Sequence, residues 1–492
     1  MNLSLALSSA QSALSATATQ TSIISRNITG AADPGYSRKL GLTSSLGLGG
    51  VKLVSVGRAT DTALYFRMLE ATSSSSAQST LLAGYERLSR TVEDPELNQS
   101  VTASLGNLTA SIQMLAESPG DPVLGAAMLT AAYDLAGTLN DASRTVQETR
   151  AQADSAMADS VSRINDLLRQ FETANRAIVA GTPSGADVTD HLDTRERVLS
   201  ALSEEVGISV VTRPGGDMAI YTDSGVTLFE KSARTISFDR TFAYDANTTG
   251  AAVFADGVQL TGPTATMGIK SGALFGHAAI RDEVAPTYQR QLDEIARGLI
   301  VAFAESDQSA IPTLPDAPGL FTWPGAPAMP PAGVALPGLA GLIEVTANAD
   351  PARGGDLTRL RDGGLADPLQ PEYVYNATGE AAYSDRLYGL IAKLNAAQAF
   401  DPATQVNPNT TLSGFSSSSV SWLEAGRKQA DGEASFRATF LERTKEALSN
   451  KTGVNLDEEL ALMMELERSY AASARIISAV DNMLQALLQA TR

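Results

Sequence analysis

The sequence predicts a mainly α fold: a long antiparallel coiled-coil or helical-bundle body built from both chain ends, with an inserted small β-rich domain. Three observations predict it. Apolar residues recur in alternating steps of three and four at both termini. A helical pattern without proline runs from Val123 to about Ala180. After Gly207 the texture changes to short β-branched runs separated by Gly, Asp and Asn.

At the N-terminal end Leu3, Leu7, Ala10, Leu14, Thr17, Thr21, Ile24 and Ile28 form a heptad seam of small and medium residues. Its flanks are Ser, Thr, Ala and Gln, and the first charged residue is Arg26, so this helix has no strongly hydrated face. Gly47-Leu48-Gly49-Gly50 is a flexible turn, lacking the Lys-Ser/Thr and following helix of a phosphate loop. Val51 to Val56 then reads as a strand or hairpin arm. Helices follow from about Asp61 to Val92 and Pro95 to Ala116, and Ser118-Pro119-Gly120-Asp121-Pro122 is a turn. The long pattern after it carries Leu135, Leu139, Ala142, Val146, Met157, Val161, Ile164, Leu168, Phe171 and Ile178, and Asp187 to Val206 is a further helix. Helix returns from Lys270 to about Ser306, 311 to 340 is a Pro-, Gly- and Ala-rich surface loop, and helices recur at 384 to 397 and 418 to 449.

The last helix repeats the seam at Leu456, Leu460, Met463, Tyr470, Ala474, Ile477, Leu484 and Leu488. A second stripe of Leu462, Leu466, Ile476, Val480, Met483 and Leu487 runs beside it, wider than one partner helix covers. The two end helices could pair simply with each other; their lack of a polar outer face favours packing against neighbouring copies as well, with order gained on assembly. The segments are therefore 1–60, an assembly helix and extended arm; 61–206, a long-helix bundle; 207–269, a β-rich outer domain; 270–306, a return helix; 307–383, an irregular stretch; 384–450, bundle helices; and 451–492, the C-terminal assembly helix.

Composition excludes several chemistries. The 492 residues hold 37 Lys and Arg against 55 Asp and Glu, a net charge of −18, with 5% aromatics, which argues against binding nucleic acid or anionic membrane. With no cysteine, thiolate catalysis and Cys-ligated metals are excluded, and His191 and His277 stand too far apart for a short two-His motif. No run of about 18 to 20 apolar residues is present, and the first residues lack the basic start of a secretory signal. Asp193 and Arg197, four apart on a helix, read as an ordinary surface ion pair, and Ser73 to Ser76 as helix surface. No catalytic, cofactor-binding or metal site is expected.

The segment Asn27-Ile28-Thr29-Gly30-Ala31-Ala32-Asp33-Pro34-Gly35-Tyr36-Ser37-Arg38 resembles the signature after the first helix in the rod, hook and hook-associated axial proteins of the bacterial flagellum, departing from it at Arg26, Thr29, Gly30 and Asp33. In it Pro34-Gly35 is a turn in which Pro fixes φ and Gly tolerates positive φ. Gly453-Val454-Asn455-Leu456-Asp457-Glu458-Glu459 is similar to the same family's closing motif, with Asn455 or Asp457 as the helix cap; Tyr470 is kept, while Glu467 stands where Gln is usual. Three internal stretches resemble the hook–filament junction branch of the family: Tyr36-Ser37-Arg38, Leu192 to Leu199, and Ser271 to Gly276 with Arg281-Asp282 and Pro286 to Asp293. The resemblance implies a structural, non-enzymatic protein. It would be secreted by the flagellar type III apparatus, self-associate in a ring, and meet the hook protein, a second junction protein and an export chaperone. It implies an assembly interface at Leu3, Leu7, Leu14, Ile24, Ile28, Leu456, Leu460, Met463, Tyr470, Ile477, Leu484 and Leu488. The turn at Asn27, Pro34, Gly35 and Tyr36 would set its orientation. The alternatives are a hook or distal-rod protein, or an axial protein with a carboxylate-based hydrolase inserted between 207 and 350.

Overall fold

The computed structural model describes residues 3–46, 50–92 and 100–490; Gly47 to Gly49 of the expected turn and Pro95 lie outside the described residues. The chain begins with α1 (Leu3–Gly30) and an antiparallel hairpin of β1 (Lys39–Leu46) and β2 (Gly50–Arg58). Four body helices follow: α2 (Thr62–Ser89), α3 (Val101–Glu117), α4 (Pro122–Gly181) and α5 (Thr189–Glu205). Asp61 caps α2 by accepting from the Leu64 amide at 3.0 Å, and Asp121 caps α4 ahead of Pro122, whose missing amide costs nothing in the first turn. With 60 residues α4 is about 90 Å long.

Two three-stranded antiparallel sheets come next: β3 (Ile208–Thr212), β4 (Met218–Thr222) and β5 (Thr227–Phe229), then β6 (Ile236–Ser237), β7 (Phe254–Ala255) and β8 (Val258–Gln259). The return helix has three parts: α6 (Ala273–Ala279), a π-helical turn (Ile280–Val284) and α7 (Ala285–Ala302). The stretch after it holds β9 (Phe321–Thr322), α8 (Leu339–Leu342), β10 (Glu344–Val345) and α9 (Arg359–Asp362). It leads to α10 (Asp385–Asn395), the pair β11 (Gln398–Ala399) and β12 (Asn409–Thr410), α11 (Leu412–Thr452) and α12 (Leu456–Ala490). The architecture is mainly α with small sheets.

α4 is the spine, because two apolar cores form along it. Its N-terminal half, through Met128, Leu135, Leu139 and Val146, packs with α3, α7, α10 and the start of α11; its C-terminal half, through Met157, Ile164, Leu168 and Phe171, packs with α2, α5 and the sheets. α11 lies along α2 in the opposite sense, with Arg67 over the Phe440 ring near one end and Gly426 against Tyr85 near the other.

The 207–269 stretch is the small β-containing region, and its strands of two to five residues share a core with α4 and α5 through Ile220, Phe229, Val253 and Leu260. Three expectations are corrected. Residues 311–340 are not wholly surface loop, since Leu320 and Phe321 enter the other core and the Phe321 ring stands edge-on to Phe303 at 5.0 Å. Ser73 is buried rather than on a helix surface; its carbonyl accepts from the Gly272 amide at 2.9 Å, tying α2 to the start of the return helix. Although the sequence has no long unbroken apolar run, α4 is long and apolar enough by composition to cross a bilayer, and its largest apolar side chains are committed to the two cores.

Phe171 is fully buried, with its ring edge-on to Phe229 at 4.9 Å. Phe171→Ala is expected to cost about 3–5 kcal/mol, whereas Phe242→Ala, at a side chain 82% exposed, stays within about 0.5 kcal/mol in urea unfolding. Burial, with the charge of Arg87, pushes the His277 imidazole down to about 4. Between that value and the 6.5 of the unfolded chain only the unfolded state is protonated, so this contribution is complete above 6.5 and is lost as pH falls towards 4. His277→Gln should flatten the fall in stability across that window.

Candidate assembly interface at the joined chain ends

The two chain ends meet at Asn27, in the last turn of α1. Its amide nitrogen donates to the Lys39 carbonyl at 3.0 Å and to Glu459 Oε2 at 3.0 Å; its amide oxygen accepts from the Lys39 amide at 2.8 Å and from the Tyr36 hydroxyl at 3.0 Å. The side chain is thereby saturated, which a residue 1% exposed requires. Glu459, in the first turn of α12 and equally buried, takes a second bond from Arg38 Nε at 2.6 Å, and the Arg38 amide donates to the Thr452 carbonyl at 2.8 Å. Asn455 caps α12 by accepting from the Asp457 and Glu458 amides at 3.0 and 3.4 Å.

The turn sequence serves this arrangement. Tyr36 folds back on α1 so tightly that a Cβ on Gly30 would lie 2.6 Å from its ring, and burial pushes its hydroxyl up to about 12. Gly35 is required for closeness rather than for a positive φ: a Cβ there would stand 2.5 Å from Arg197 Cδ, and its backbone is outside the left-handed region.

A buried ionic cluster fastens this joint to the body. The Lys39 ammonium, fully buried and 4.6 Å from the centre of the Tyr36 ring, pairs with Asp193 on α5. Arg58, at the end of β2, bonds Asp193 at 3.1 Å and grips both oxygens of Glu196. Burial opposes its charge, yet Glu196 and Asp193 hold its pKa above the ordinary value. Tyr65 of α2 donates to the Glu196 carbonyl at 2.7 Å, and at the rim Arg26 bonds Asp187 and Asp190 at 2.9 Å each. The expected surface pair of Asp193 with Arg197 is thus corrected: Asp193 is buried and turned towards Lys39 and Arg58, while Arg197 lies over Gly35. Arg195 is buried as well, bonded to Asn175 at 2.9 Å, and burial beside Arg58 brings its pKa down to about 10. A cleft of about 940 Å³ lined by Tyr36, Phe66, Arg197 and Lys445 lies beside these contacts.

Beyond the joint α1 and α12 run antiparallel, and α1 also packs the hairpin. On α1 the buried residues are Ala10, Ala16, Thr17, Ile23, Ile24 and Asn27; of the expected interface Ile24 is buried and Leu3, Leu7, Leu14 and Ile28 are half-buried. On α12 the buried residues are Glu459, Ser473 and Val480, in heptad register, with Met463 and Ile477 half-buried. Leu456, Leu460, Tyr470, Leu484 and Leu488 are exposed, as are Leu462, Met464, Ile476, Met483 and Leu487. The apolar arc of α12 is centred on the side turned to α1, where Leu466, Ser473, Val480 and Leu487 share the register of Glu459; α1 covers only part of it, and Tyr470, Ile476, Met483 and Leu484 on its flanks stay exposed. Sequence reasoning missed Lys39, Arg58, Asp193 and Glu459 as the joint's charges. The signal available was Glu459, a carboxylate three residues after Leu456 inside an apolar seam. His191 is exposed, and among the described residues no group of three or more His, Asp or Glu side chains is placed to hold a metal.

Asn27→Ala leaves the Lys39 amide and carbonyl and Glu459 short of partners and is expected to cost about 2–4 kcal/mol locally, read as faster proteolysis between residues 31 and 38 with the helical body intact. Lys39→Met leaves Asp193 paired with Arg58 alone and should cost about 1–3 kcal/mol by the same readout.

Comparison with known proteins gives a consistent set of relatives. The model for the flagellar hook-associated protein FlgK helical domain matches residues 86–317, and that for the flagellar basal body rod FlgEFG protein C-terminal matches residues 447–490. Flagellar hook-associated protein 1 of Salmonella typhimurium is 26% identical over 306 residues, 60% of this chain and 55% of that protein. The Escherichia coli protein of the same name is 25% identical over 338 residues, 66% of this chain and 60% of that one. The chain thus matches somewhat over half the length of these relatives. The structure of the flagellar hook junction protein FlgK from Burkholderia pseudomallei is similar over 52% of this chain and 46% of that one, at 21% identity and a TM-score of 0.42. By these matches, the chain is similar to flagellar hook-associated protein 1 through its helical body and to flagellar rod proteins through its C-terminal helix.

Proposed function

We propose that the chain is a structural component of the bacterial flagellum that forms the junction ring between hook and filament, using its chain-end helices as packing surfaces. The single observation that carries this is the incompletely covered apolar arc of α12: α1 buries Ser473 and Val480, while Tyr470, Ile476, Met483, Leu484 and Leu487 on the same side of the helix stay exposed. Soluble monomers rarely expose so long an apolar strip, and such strips mark protein interfaces. The names of its relatives, hook-associated and hook junction protein, support the same reading.

In this reading the partners are further copies of the chain, the hook protein below, a second junction protein above, and an export chaperone that covers α12 before assembly. Its place of action is outside the cell, after type III export. The role is mechanical: α1 and α12 pack among neighbours, and the Asn27 joint with its ionic cluster transmits their orientation to the body. The match over residues 86–317 to the hook-associated model favours the junction role over a hook or distal-rod role, since the C-terminal match is to a rod model.

The test is binding of purified chain to isolated hooks. Ile476→Glu with Met483→Glu, both at exposed positions on that arc, should leave the circular dichroism spectrum unchanged and lower hook binding at least tenfold. Binding equal to that of the unaltered chain would refute the role given to α12.

A further inference from the structure

Resting on the assembly reading, we infer that the Met483 thioether is a modification site on α12, where oxidation to the sulfoxide by a peroxide withdraws the free chain from assembly. The chain has no cysteine, so peroxide chemistry at sulfur can act only through its methionines. Met68, Met128, Met157 and Met218 are buried in the two cores of the body. Among the described residues Met114, Met267, Met464 and Met483 are exposed, Met483 at 49%.

What separates Met483 from the other three is its surroundings. On a helix a side chain meets those three and four positions away. For Met483 these are Ala479, Val480, Ala486 and Leu487, every one apolar, and Val480 is only 2% exposed. Met464 has Glu467 and Arg468 at the same spacing, Met114 has Ser111 and Glu117, and Met267 lies in a turn. A thioether is apolar and adaptable, which suits a contact; a sulfoxide carries a strongly accepting oxygen. At Met464 the Arg468 side chain can reach such an oxygen. At Met483 none of the four same-face neighbours carries a side-chain donor, so a partner that covers the arc would take that oxygen out of water unpaired.

The step is a two-electron oxygen transfer. The Met483 sulfur attacks one oxygen of the peroxide, and the O–O bond breaks as the S–O bond forms. With hydrogen peroxide the other oxygen leaves as water, taking the proton of the transferred one; sulfur is oxidised and the peroxide reduced.

The experiment treats the full chain with dilute hydrogen peroxide, removes the oxidant, and measures binding to isolated hooks, each chain being compared with its own untreated sample. Peptide mass spectrometry locates the sulfoxides, and circular dichroism confirms that the fold is kept. Treatment is expected to lower binding of the unaltered chain about tenfold, the factor typical of one uncompensated buried polar group. Met464→Leu should lose binding on treatment to the same degree, and Met483→Leu should lose none. A pair of methionine sulfoxide reductases, one for each epimer, should restore the treated unaltered chain. Equal losses in Met483→Leu and the unaltered chain, or undiminished binding by chain carrying the sulfoxide at Met483, overturn this inference while leaving the assembly reading standing. Untreated, unaltered chain that fails to bind hooks overturns that reading and this inference with it.

Discussion

Asn27 has two donors and two acceptors and uses all four, to both backbone groups of Lys39, to Tyr36 and to Glu459. Together the four bonds join three pieces of chain to the end of α1: the hairpin, by two bonds, the turn, and the first turn of α12. An amide that is fully buried and fully bonded tolerates little displacement of any partner, because each lost bond leaves a desolvated polar group behind. The two termini, more than four hundred residues apart, are thereby held in one fixed relation. The Lys39–Asp193 and Arg58–Glu196 pairs extend that relation to α5, and Tyr65 carries it to α2 through the Glu196 carbonyl. Buried ion pairs of this kind give specificity of geometry more than net stability.

Division of labour follows from where apolar surface is spent. The body uses its own on two cores strung along α4, so it is self-sufficient. The chain-end unit buries few large apolar side chains, Ile23, Ile24 and Val480 beside Ala10, Ala16, Thr17 and Ser473, so it gains little transfer free energy. Many of the larger side chains of α12 stay exposed. A unit held by a polar joint at one end and covered only in part along its apolar arc would be stabilised further by any partner that covers the rest, which is the role proposed for neighbouring copies.

The sequence made the mainly α fold, the length of α4, the hairpin arm and the terminal seams legible, since these rest on periodicity and turn chemistry within short windows. It hid whatever depended on distant partners. Asp193 reads as half of a local pair with Arg197 because helix spacing is visible in one segment, while Lys39 and Arg58 are some 150 and 135 positions away. The strand patterns of the β excursion do not say which surface they cover; Phe229 and Val253 complete the core begun by Phe171. On α12 the apolar stripe was visible but not its direction, which Glu459 decides by turning its own side of the helix to Asn27.

The central claim is that the chain ends are anchored at the Asn27 joint and completed by neighbouring copies along α12. Hydrogen exchange of the full chain, alone and after addition to isolated hooks, tests it most directly. In the free chain, protection should be greatest around Asn27 and the first turns of α12 and decline towards Leu3 and Ala490. On hooks it should rise along the whole of α12. Uniform protection of α12 in the free chain, unchanged by hooks, would contradict the account, because its apolar arc would then need no partner.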